Sequence, residues 1–346
     1  MTTAPALPAQ REREGAPQAA DPADGISAVV RGVPGSQLQR TLRVLRRGTG
    51  DPTYRVEYGP EDGPVRAVWR VARTPQGPAT LRARLRSGGG GGSAGSDGDG
   101  AGDRETGAGG DAADEVELTA WGDGAAWLLQ QGPAMLGAED DLTGFAEIAA
   151  THPLLADAHR RRPSLRLIRT GLMLEALIPA ILEQKVTTQS AYSAWRRLVR
   201  ANGEPAPGPA SMPPDMYVSP TPHAWIMIPS WEWRRAEVDG KRAEAIIRAC
   251  RRAAAIERLA RADVEEASSK LRTIPGIGPW TAAETLQRSH GAADLVSVGD
   301  LHLPRLICGI LGDPADRSYD DAKMLALLAP FAPHRQRAVR LLLSRR

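Results

Sequence analysis

One segment, residues 263–291, constrains the fold more than any other part of the chain. It reads DVEEASSKLRTIPGIGPWTAAETLQRSHG. Asp263 is a favoured helix N-cap, and apolar side chains recur at helical spacing from Val264 to Ile274. Pro279 suits the first position of a second helix, and Gly291 suits the position after its end. We therefore predict two helices joined by the short PGIG hairpin.

The hairpin predicts a contact with an anion. Gly276 and Gly278 allow the backbone to approach a ligand closely. The amides at the start of the second helix would point at that ligand, and helix N-termini bind phosphate. A hairpin of this kind binds the nucleic-acid backbone without contacting the base edges. Two alternatives stay open: an ordinary helix connection, and a nucleotide-binding glycine fingerprint, although GIGPWT lacks the third glycine and follows a helix.

Strand periodicity dominates residues 38–86. TYRVEY, VRAVWRVAR and TLRARLR place apolar residues at every second position, and EVELTAWG resumes this pattern after residue 114. The stretch between them is rich in Gly, Ala and Asp, a composition that cannot form a core. We interpret residues 88–113 as a flexible acidic insert between two strands of one sheet. Its DGDG portion lacks the ligand spacing of a calcium loop.

The rest of the chain has helical patterns. VTTQSAYSAWRRLVRAN, residues 186–202, is predicted as a helix because a Thr stands near its start and a Gly after its end. We expect a disordered tail at residues 1–26, an N-terminal α+β domain at 27–140 and a helical region at 141–346. The tail lacks the apolar centre of a secretory signal, and no apolar run is long enough for a transmembrane helix.

Charge is distributed unevenly along the chain. The formal net charge is +3, but residues 88–147 carry 13 acidic and 1 basic residue, whereas residues 148–346 carry 29 basic and 20 acidic ones. A basic C-terminal part suits a polyanionic partner, although a solvated arginine-rich surface would give the same count. Cys250 and Cys308 are too few for a disulfide framework, a four-cysteine zinc site or an all-cysteine iron–sulfur cluster.

The stretch LRTIPGIGPWTAAETLQRSHGAADLVSVGDLHLP resembles the helix–hairpin–helix, Gly/Pro-rich, Asp (HhH-GPD) family of DNA glycosylases. In that family the hairpin is followed about 20 residues later by an aspartate, and Asp300 stands in that place. AILEQKVTTQSA, YVSPTP, GKRAEAII and PHRQRA are similar to the bacterial 3-methyladenine DNA glycosylase II subfamily. The resemblance implies an α+β chain, with a β-rich, TATA-box-protein-like N-terminal domain followed by an all-helical glycosylase body.

The resemblance implies that Asp300 is the catalytic carboxylate. A carboxylate stabilises the positive charge that develops on deoxyribose as the base departs, and it can orient the attacking water. Capping of the following helix is the alternative role, and both can hold. Trp280 occupies the position of a lysine nucleophile in bifunctional relatives, so water would be the nucleophile and the enzyme monofunctional. Trp280 would line the base pocket or pack in the core.

Five residues are expected to contact DNA on the basis of the same resemblance. Gln184 matches the helix end that approaches the gap left by a flipped nucleotide. Lys185 stands where the nearest subfamily uses an apolar wedge; its aliphatic stem could still fill space, and its charge would favour phosphate. The alternative is an ordinary surface Gln-Lys pair. The amides of Gly276, Gly278 and Thr281 would hold a phosphate.

The family resemblance also implies a possible monovalent cation at the hairpin. The backbone carbonyls of Arg272, Ile274 and Gly276 would be its ligands. We expect no required cofactor and no iron–sulfur cluster, since the cluster cysteines of some relatives are missing.

Two pocket positions depart from the best-known members of the subfamily, which carry aromatic residues there. Glu284 and His334 occupy these positions. An ionised Glu284 could attract a cationic purine, and it could also hydrogen-bond an exocyclic amine. Alternatively, Glu284 faces solvent.

Taken together, the resemblance implies a monofunctional glycosylase that excises damaged, in the first place alkylated, bases from double-stranded DNA. We expect a monomer in the cytoplasm, associated with the nucleoid and not with a membrane. Two alternatives stay open. One is a glycosylase for oxidised or deaminated bases, and the other is a DNA-damage-binding protein without catalysis.

Overall fold

The computed structural model describes residues 25–33, 38–60, 63–86, 115–313 and 315–344. The predicted insert at residues 88–113 lies outside the described residues, as does nearly all of the predicted tail. The first strand begins at Ile26, the last residue assigned to that tail.

One antiparallel sheet forms the N-terminal part, with strand order β1-β5-β4-β3-β2. Its strands are β1 (Ile26–Val30), β2 (Tyr54–Tyr58), β3 (Val65–Thr74), β4 (Gly77–Arg86) and β5 (Glu115–Trp121). Strands β4 and β5 flank residues 87–114 and pair with each other from Thr80–Trp121 to Arg86–Glu115. The prediction of an insertion between two strands of one sheet agrees with this pairing.

A short helix α1 (Leu38–Leu42), a 3-10 turn at Arg43–Leu45 and helix α2 (Ala125–Met135) accompany the sheet. Helix α2 packs closely on β5, since a Cβ at Gly132 would lie 2.3 Å from a methyl carbon of Leu118. Leu118 and Leu128 are fully buried in the resulting core. A larger residue at position 132 would therefore require the buried Leu118 side chain or the helix to shift.

The rest of the described chain is helical, apart from the short pair β6 (Glu204–Pro205) and β7 (Tyr217–Val218). Its helices are α3 (Phe145–Ala150), α4 (Pro153–Arg161), α5 (Met173–Leu182), α6 (Thr188–Asn202), α7 (Pro222–Met227), α8 (Ser230–Arg235), α9 (Gly240–Arg251), α10 (Ala253–Arg258), α11 (Val264–Arg272), α12 (Pro279–Ser289), α13 (Leu303–Leu311), α14 (Asp321–Leu328) and α15 (Arg335–Leu343). Helix α5 lies at the centre, with nine of its ten residues buried.

The predicted helices are present with small shifts at their ends. Helix α6 begins two residues later than predicted, because the Thr187 side chain accepts a hydrogen bond from the amide of Ser190 and caps the helix there. Helix α11 begins at Val264, as predicted, after the Asp263 cap. It ends at Arg272, two residues before the predicted end.

The sheet and the helices are joined by buried polar contacts. Arg70 on β3 pairs with Glu175 on α5. Trp195 Nε1 on α6 donates to Asp51 Oδ1 at 3.1 Å, and Asp51 is fully buried. These bonds fix the loop before β2 against the helical part. Among the described helices, none is both long and apolar enough to cross a membrane.

Candidate DNA-binding surface and catalytic centre

The hairpin between α11 and α12 exposes backbone amides at a helix start. Its own backbone bonds run from Ile277 N to Ile274 O and from Ala282 N to Gly278 O. Within the described residues, the amides of Gly278 and Trp280 have no acceptor, as expected at the first turn of a helix. Partial positive charge at this end of α12 favours an anion.

The two hairpin glycines serve different purposes. Gly276 has φ +98°, and a Cβ there would lie 2.8 Å from the Cβ of Ala245 on α9. Both the backbone and the packing therefore require a glycine. Gly278 has an ordinary extended backbone, and a Cβ there would meet nothing within 4 Å. The protein itself does not need a glycine at position 278, so the open space beside it is free for a ligand.

Gln184 ties the end of α5 to the hairpin. Its Nε2 donates to Gly276 O at 2.9 Å and to Thr281 Oγ1 at 2.8 Å. Thr281 is buried, with 2% of the residue exposed, and its hydroxyl oxygen is occupied by the Gln184 amide. Gln184 thus lies beside the hairpin amides that the sequence predicts to bind DNA, and its side-chain nitrogen is bonded to protein groups.

Lys185 follows Gln184 and has a left-handed backbone, with φ +54°. This conformation is uncommon for residues other than glycine and costs energy. The side chain is exposed. The turn after α5 therefore presents an exposed lysine next to Gln184, which contacts the hairpin.

Asp300 is held by three donors. Trp280 Nε1 donates to its Oδ2 at 2.9 Å. The amides of His302 and Leu303 donate to its Oδ1, each at 2.8 Å. Asp300 therefore accepts from the two amides at the start of α13, whose N-cap is His302, and Trp280 fixes the second oxygen. The two residues that the sequence assigned to catalysis and to the pocket are in direct contact.

Helix α12 and the segment 295–300 lie side by side. The Trp280–Asp300 bond joins them at the hairpin end. Two turns along the helix, Gln287 Nε2 donates to Leu295 O at 2.9 Å. This pairing positions Asp300 at the hairpin end of α12, so the carboxylate and the unbonded hairpin amides share one end of the helix.

Glu284 is engaged with protein groups. Arg288 NH1 donates to its Oε2 at 2.7 Å, and Ser297 Oγ donates to its Oε1 at 2.5 Å. Its side chain is only 16% exposed. The residue does not face solvent freely, and its charge is balanced by Arg288.

His334 lies in a packed environment at the start of α15. Its Nε2 is 3.1 Å from Thr143 O, and Arg337 Nε donates to its Nδ1 at 3.3 Å. Its ring meets Phe145 edge-on at 5.2 Å between centroids. At 5% exposure, the imidazole is used in joining α15 to the segment before α3.

The three carbonyls predicted for a monovalent cation lie at the hairpin turn. Ile274 O accepts from Ile277 N, and Gly276 O accepts from Gln184 Nε2. A carbonyl oxygen has two lone pairs, so each of these can still accept a second partner. These two oxygens, with that of Arg272, therefore remain chemically suited to a cation.

The sequence did not identify the polar residues behind α12. Gln336 on α15 donates to Gln287 Oε1 at 2.9 Å, and Gln287 donates to Ser297 Oγ at 2.9 Å. Nearby, Arg335 pairs with Asp294, and its hydrogen bonds outweigh the opposing effect of burial, so the pKa of Asp294 is lowered. No local pattern marks these residues, because their partners lie on other elements.

No protein-family model matches the chain. A DNA-3-methyladenine glycosylase from Bacillus subtilis is 30% identical over 154 residues, which make up 43% of this chain and 50% of that protein. A Mycobacterium tuberculosis protein named a probable bifunctional transcriptional activator/DNA repair enzyme AlkA is 31% identical over 192 residues, 53% of this chain and 36% of that protein. The chain thus spans half or less of the length of these two curated relatives.

Solved structures share the architecture. A 3-methyladenine DNA glycosylase from Archaeoglobus fulgidus gives a TM-score of 0.67 at 15% identity, covering 92% of this chain and 97% of that chain. MBOgg1 in complex with a low affinity DNA ligand gives 0.64 at 17% identity, covering 92% and 94%. An 8-oxoguanine glycosylase/lyase from Clostridium acetobutylicum gives 0.62 at 13% identity, covering 92% and 95%. These likenesses confirm the predicted fold.

Proposed function

We propose, starting from the relationship of this chain to the helix–hairpin–helix DNA glycosylases in fold and in sequence, that it hydrolyses the N-glycosidic bond of damaged bases flipped out of duplex DNA. Flipping is required because the bond cannot be reached while the base is stacked. The observation that carries the proposal is the contact between Trp280 and Asp300 at the end of α12 that exposes free amides.

The chemistry follows from the position of Asp300. The hairpin amides hold a phosphate of the damaged strand, and this brings the neighbouring deoxyribose towards the carboxylate. As the bond to the base lengthens, the sugar becomes positively charged, and the fixed negative charge of Asp300 stabilises it. Water then attacks the sugar, and the product is an abasic site with both strands intact.

Monofunctional hydrolysis is proposed because Trp280 cannot act as an amine nucleophile. An indole forms no Schiff base with the sugar, so no route to strand cleavage exists through this position. Borohydride treatment during excision is expected to trap no covalent protein–DNA adduct. An adduct that maps to Lys185 or Lys241 would contradict monofunctional hydrolysis.

Alkylated bases are the first proposed substrate class, because the curated relatives are named for 3-methyladenine excision and for DNA repair by AlkA. A second class, oxidised or deaminated bases, is favoured by a specific observation. The C-terminal end of α12 adjoins a cavity lined by arginines. Arginine side chains only donate hydrogen bonds, so this lining suits bases that carry oxygen acceptors.

A monovalent cation at the carbonyls of Arg272, Ile274 and Gly276 remains part of the proposal. When bound, it would add positive charge beside the phosphate-binding amides. Replacing KCl by an equal concentration of a bulky organic chloride, which cannot enter the turn, is expected to weaken binding to an undamaged duplex. Equal affinities in both salts would argue against the cation site.

The experiment that tests the proposal uses duplexes that each contain one lesion, followed by alkali to reveal abasic sites. Asp300→Asn removes the charge but retains a good helix cap. We expect its single-turnover rate to fall by about 10²–10³ with little change in DNA affinity. Asp320→Asn is the matched control, because Asp320 caps α14 through the amide of Lys323. Normal excision by Asp300→Asn would contradict the proposed role.

A further inference from the structure

A cavity of about 190 Å³ opens at the far end of α12, between the helical part and the turn that follows α1. Five of its lining residues are arginines: Arg43, Arg46, Arg47, Arg288 and Arg340. They come from three separate segments of the chain. Because like charges repel each other, a cluster of guanidinium groups around one opening is electrostatically unfavourable. Such a cluster points to a functional role.

The positive charge of the cavity is only partly balanced. Arg288 pairs with Glu284, and Arg47 NH1 lies 3.7 Å from Glu183 Oε1. Among the described residues, Arg340 has no carboxylate partner within ion-pair distance. Burial, followed by the charge of Arg288, lowers the pKa of Arg340 to about 10, so it is still a cation at neutral pH. The cavity therefore presents a net positive charge to a ligand.

The cavity and the proposed reaction centre lie along the same helix, α12. Trp280 marks the catalytic end of the helix, and Gln287 lines the cavity. The seven residues between them correspond to about 10 Å along the axis. The turn after α1 reaches this part of α12, since Arg288 Nε donates to Val44 O at 3.2 Å. A base whose sugar lies at Asp300 can thus extend along α12 towards the arginines.

The chemistry of the lining selects among bases. Guanidinium groups only donate hydrogen bonds, and they stay protonated at all ordinary pH values. They suit carbonyl oxygens and ring-nitrogen acceptors, as in the pairing of arginine with guanine O6 and N7. A cationic N-alkylpurine would meet like charge.

We propose that this cavity is the base-recognition pocket and that it takes neutral damaged bases bearing carbonyl oxygens, such as oxidised or deaminated purines, in preference to cationic N-alkylpurines. The inference rests on the proposed glycosylase function and ranks the second proposed substrate class, oxidised or deaminated bases, above cationic alkylated bases. The arginines act by donating hydrogen bonds to the oxygens of the flipped base.

The test compares single-turnover excision from duplexes that contain hypoxanthine, 8-oxoguanine or 7-methylguanine. The full chain is expected to release at least one of the two neutral bases about tenfold or more faster than 7-methylguanine. Faster release of 7-methylguanine would overturn the inference while leaving the proposed function standing. Failure to release any lesion would contradict the proposed function, and the inference would fall with it.

Substitutions of the lining arginines test whether the cavity causes the preference for neutral bases. Arg340→Gln is expected to slow excision of the preferred neutral base by about tenfold and to leave 7-methylguanine unchanged or faster. Arg43→Gln, at an exposed position that tolerates substitution, is expected to shift the ratio in the same direction. Arg251→Gln on α9 is the control, since Arg251 is exposed and outside the cavity. Equal losses for all lesions in Arg340→Gln would overturn the inference.

A binding measurement distinguishes a base pocket from a phosphate site. Intrinsic tryptophan fluorescence of the full chain is titrated with free hypoxanthine and with inorganic phosphate. We expect saturable binding of hypoxanthine that weakens in Arg340→Gln. Binding of phosphate alone, lost in the same variant, would overturn the inference in favour of a phosphate site.

Discussion

The two ends of α12 are built in different ways. The hairpin end uses backbone amides, two glycines and a helix start, all from one continuous segment. The cavity end gathers side chains from the turn after α1, from α6, from α12 itself and from α15. Backbone groups grip any DNA strand, whereas side chains can distinguish one base from another. The difference suggests that the helix separates holding the DNA from choosing the base.

The largest effect that tests this division is expected at Gly278. A Cβ at this position meets no atom within 4 Å, so the melting temperature of Gly278→Val should change little, but the valine side chain would occupy the space left for a phosphate. Losing charge-assisted bonds to phosphate should weaken duplex binding by about 10–100-fold. Equilibrium fluorescence anisotropy with a labelled duplex measures this.

The control for that prediction is Gly240→Val, which adds the same side chain at the open start of α9. It should retain both stability and affinity. Normal affinity of Gly278→Val for the duplex would show that the hairpin amides do not contribute to DNA binding.

A second prediction concerns the bond between Trp280 and Asp300. Trp280→Phe keeps an aromatic ring and removes the donor to Oδ2. A hydrogen bond to a charged group is worth about 1.5–3 kcal/mol, so excision should slow by roughly tenfold or more while DNA affinity is retained. Trp231→Phe, on the exposed side of α8, is the matched control. Equal rates in both variants would mean that Trp280 only packs.

A third prediction concerns Glu284, which balances the charge of Arg288 at the cavity end of α12. Glu284→Gln can still accept from Ser297, but it no longer balances Arg288. The added net positive charge should slow release of 7-methylguanine a few-fold more than release of neutral bases. The ratio of single-turnover rates reports this. Should all lesions slow equally, Glu284 would have a structural role only.

The smallest effect is expected in the pH dependence of stability. The hydrogen bonds from Arg335 lower the pKa of Asp294 below its ordinary value of 3.8. A lowered pKa in the folded state stabilises the protein above the ordinary value, and this contribution is lost as the pH falls through the folded-state pKa. The melting-temperature difference between the parent and Asp294→Asn should therefore shrink below about pH 4. A constant difference would contradict this.

The hairpin end could be predicted from sequence because its signals are local. The Asp263 cap, the two glycines and Pro279 act within a few residues of their own positions. Asp300 was identified by its spacing from the hairpin, and the contact with Trp280 was not visible in the sequence. The fold class followed from the change between strand and helix periodicity, together with the family resemblance.

The cavity end could not be predicted in the same way. Glu284 finds its partner Ser297 across a loop, and His334 bonds to Thr143, which is 191 residues away. In the run TLRVLRR, nothing separates the arginines that line a cavity from the many others on the surface. Partners of this kind are set by tertiary packing, which no local pattern records.

The central claim, that one end of α12 holds DNA and the other selects the base, is tested most directly by the ratio of excision rates for hypoxanthine and 7-methylguanine. Both rates are measured in single turnover at saturating protein, for the parent, Gly278→Val and Arg340→Gln. We expect Gly278→Val to keep the parent ratio and Arg340→Gln to lower it by about tenfold. A changed ratio in Gly278→Val, or the parent ratio in Arg340→Gln, would contradict the claim.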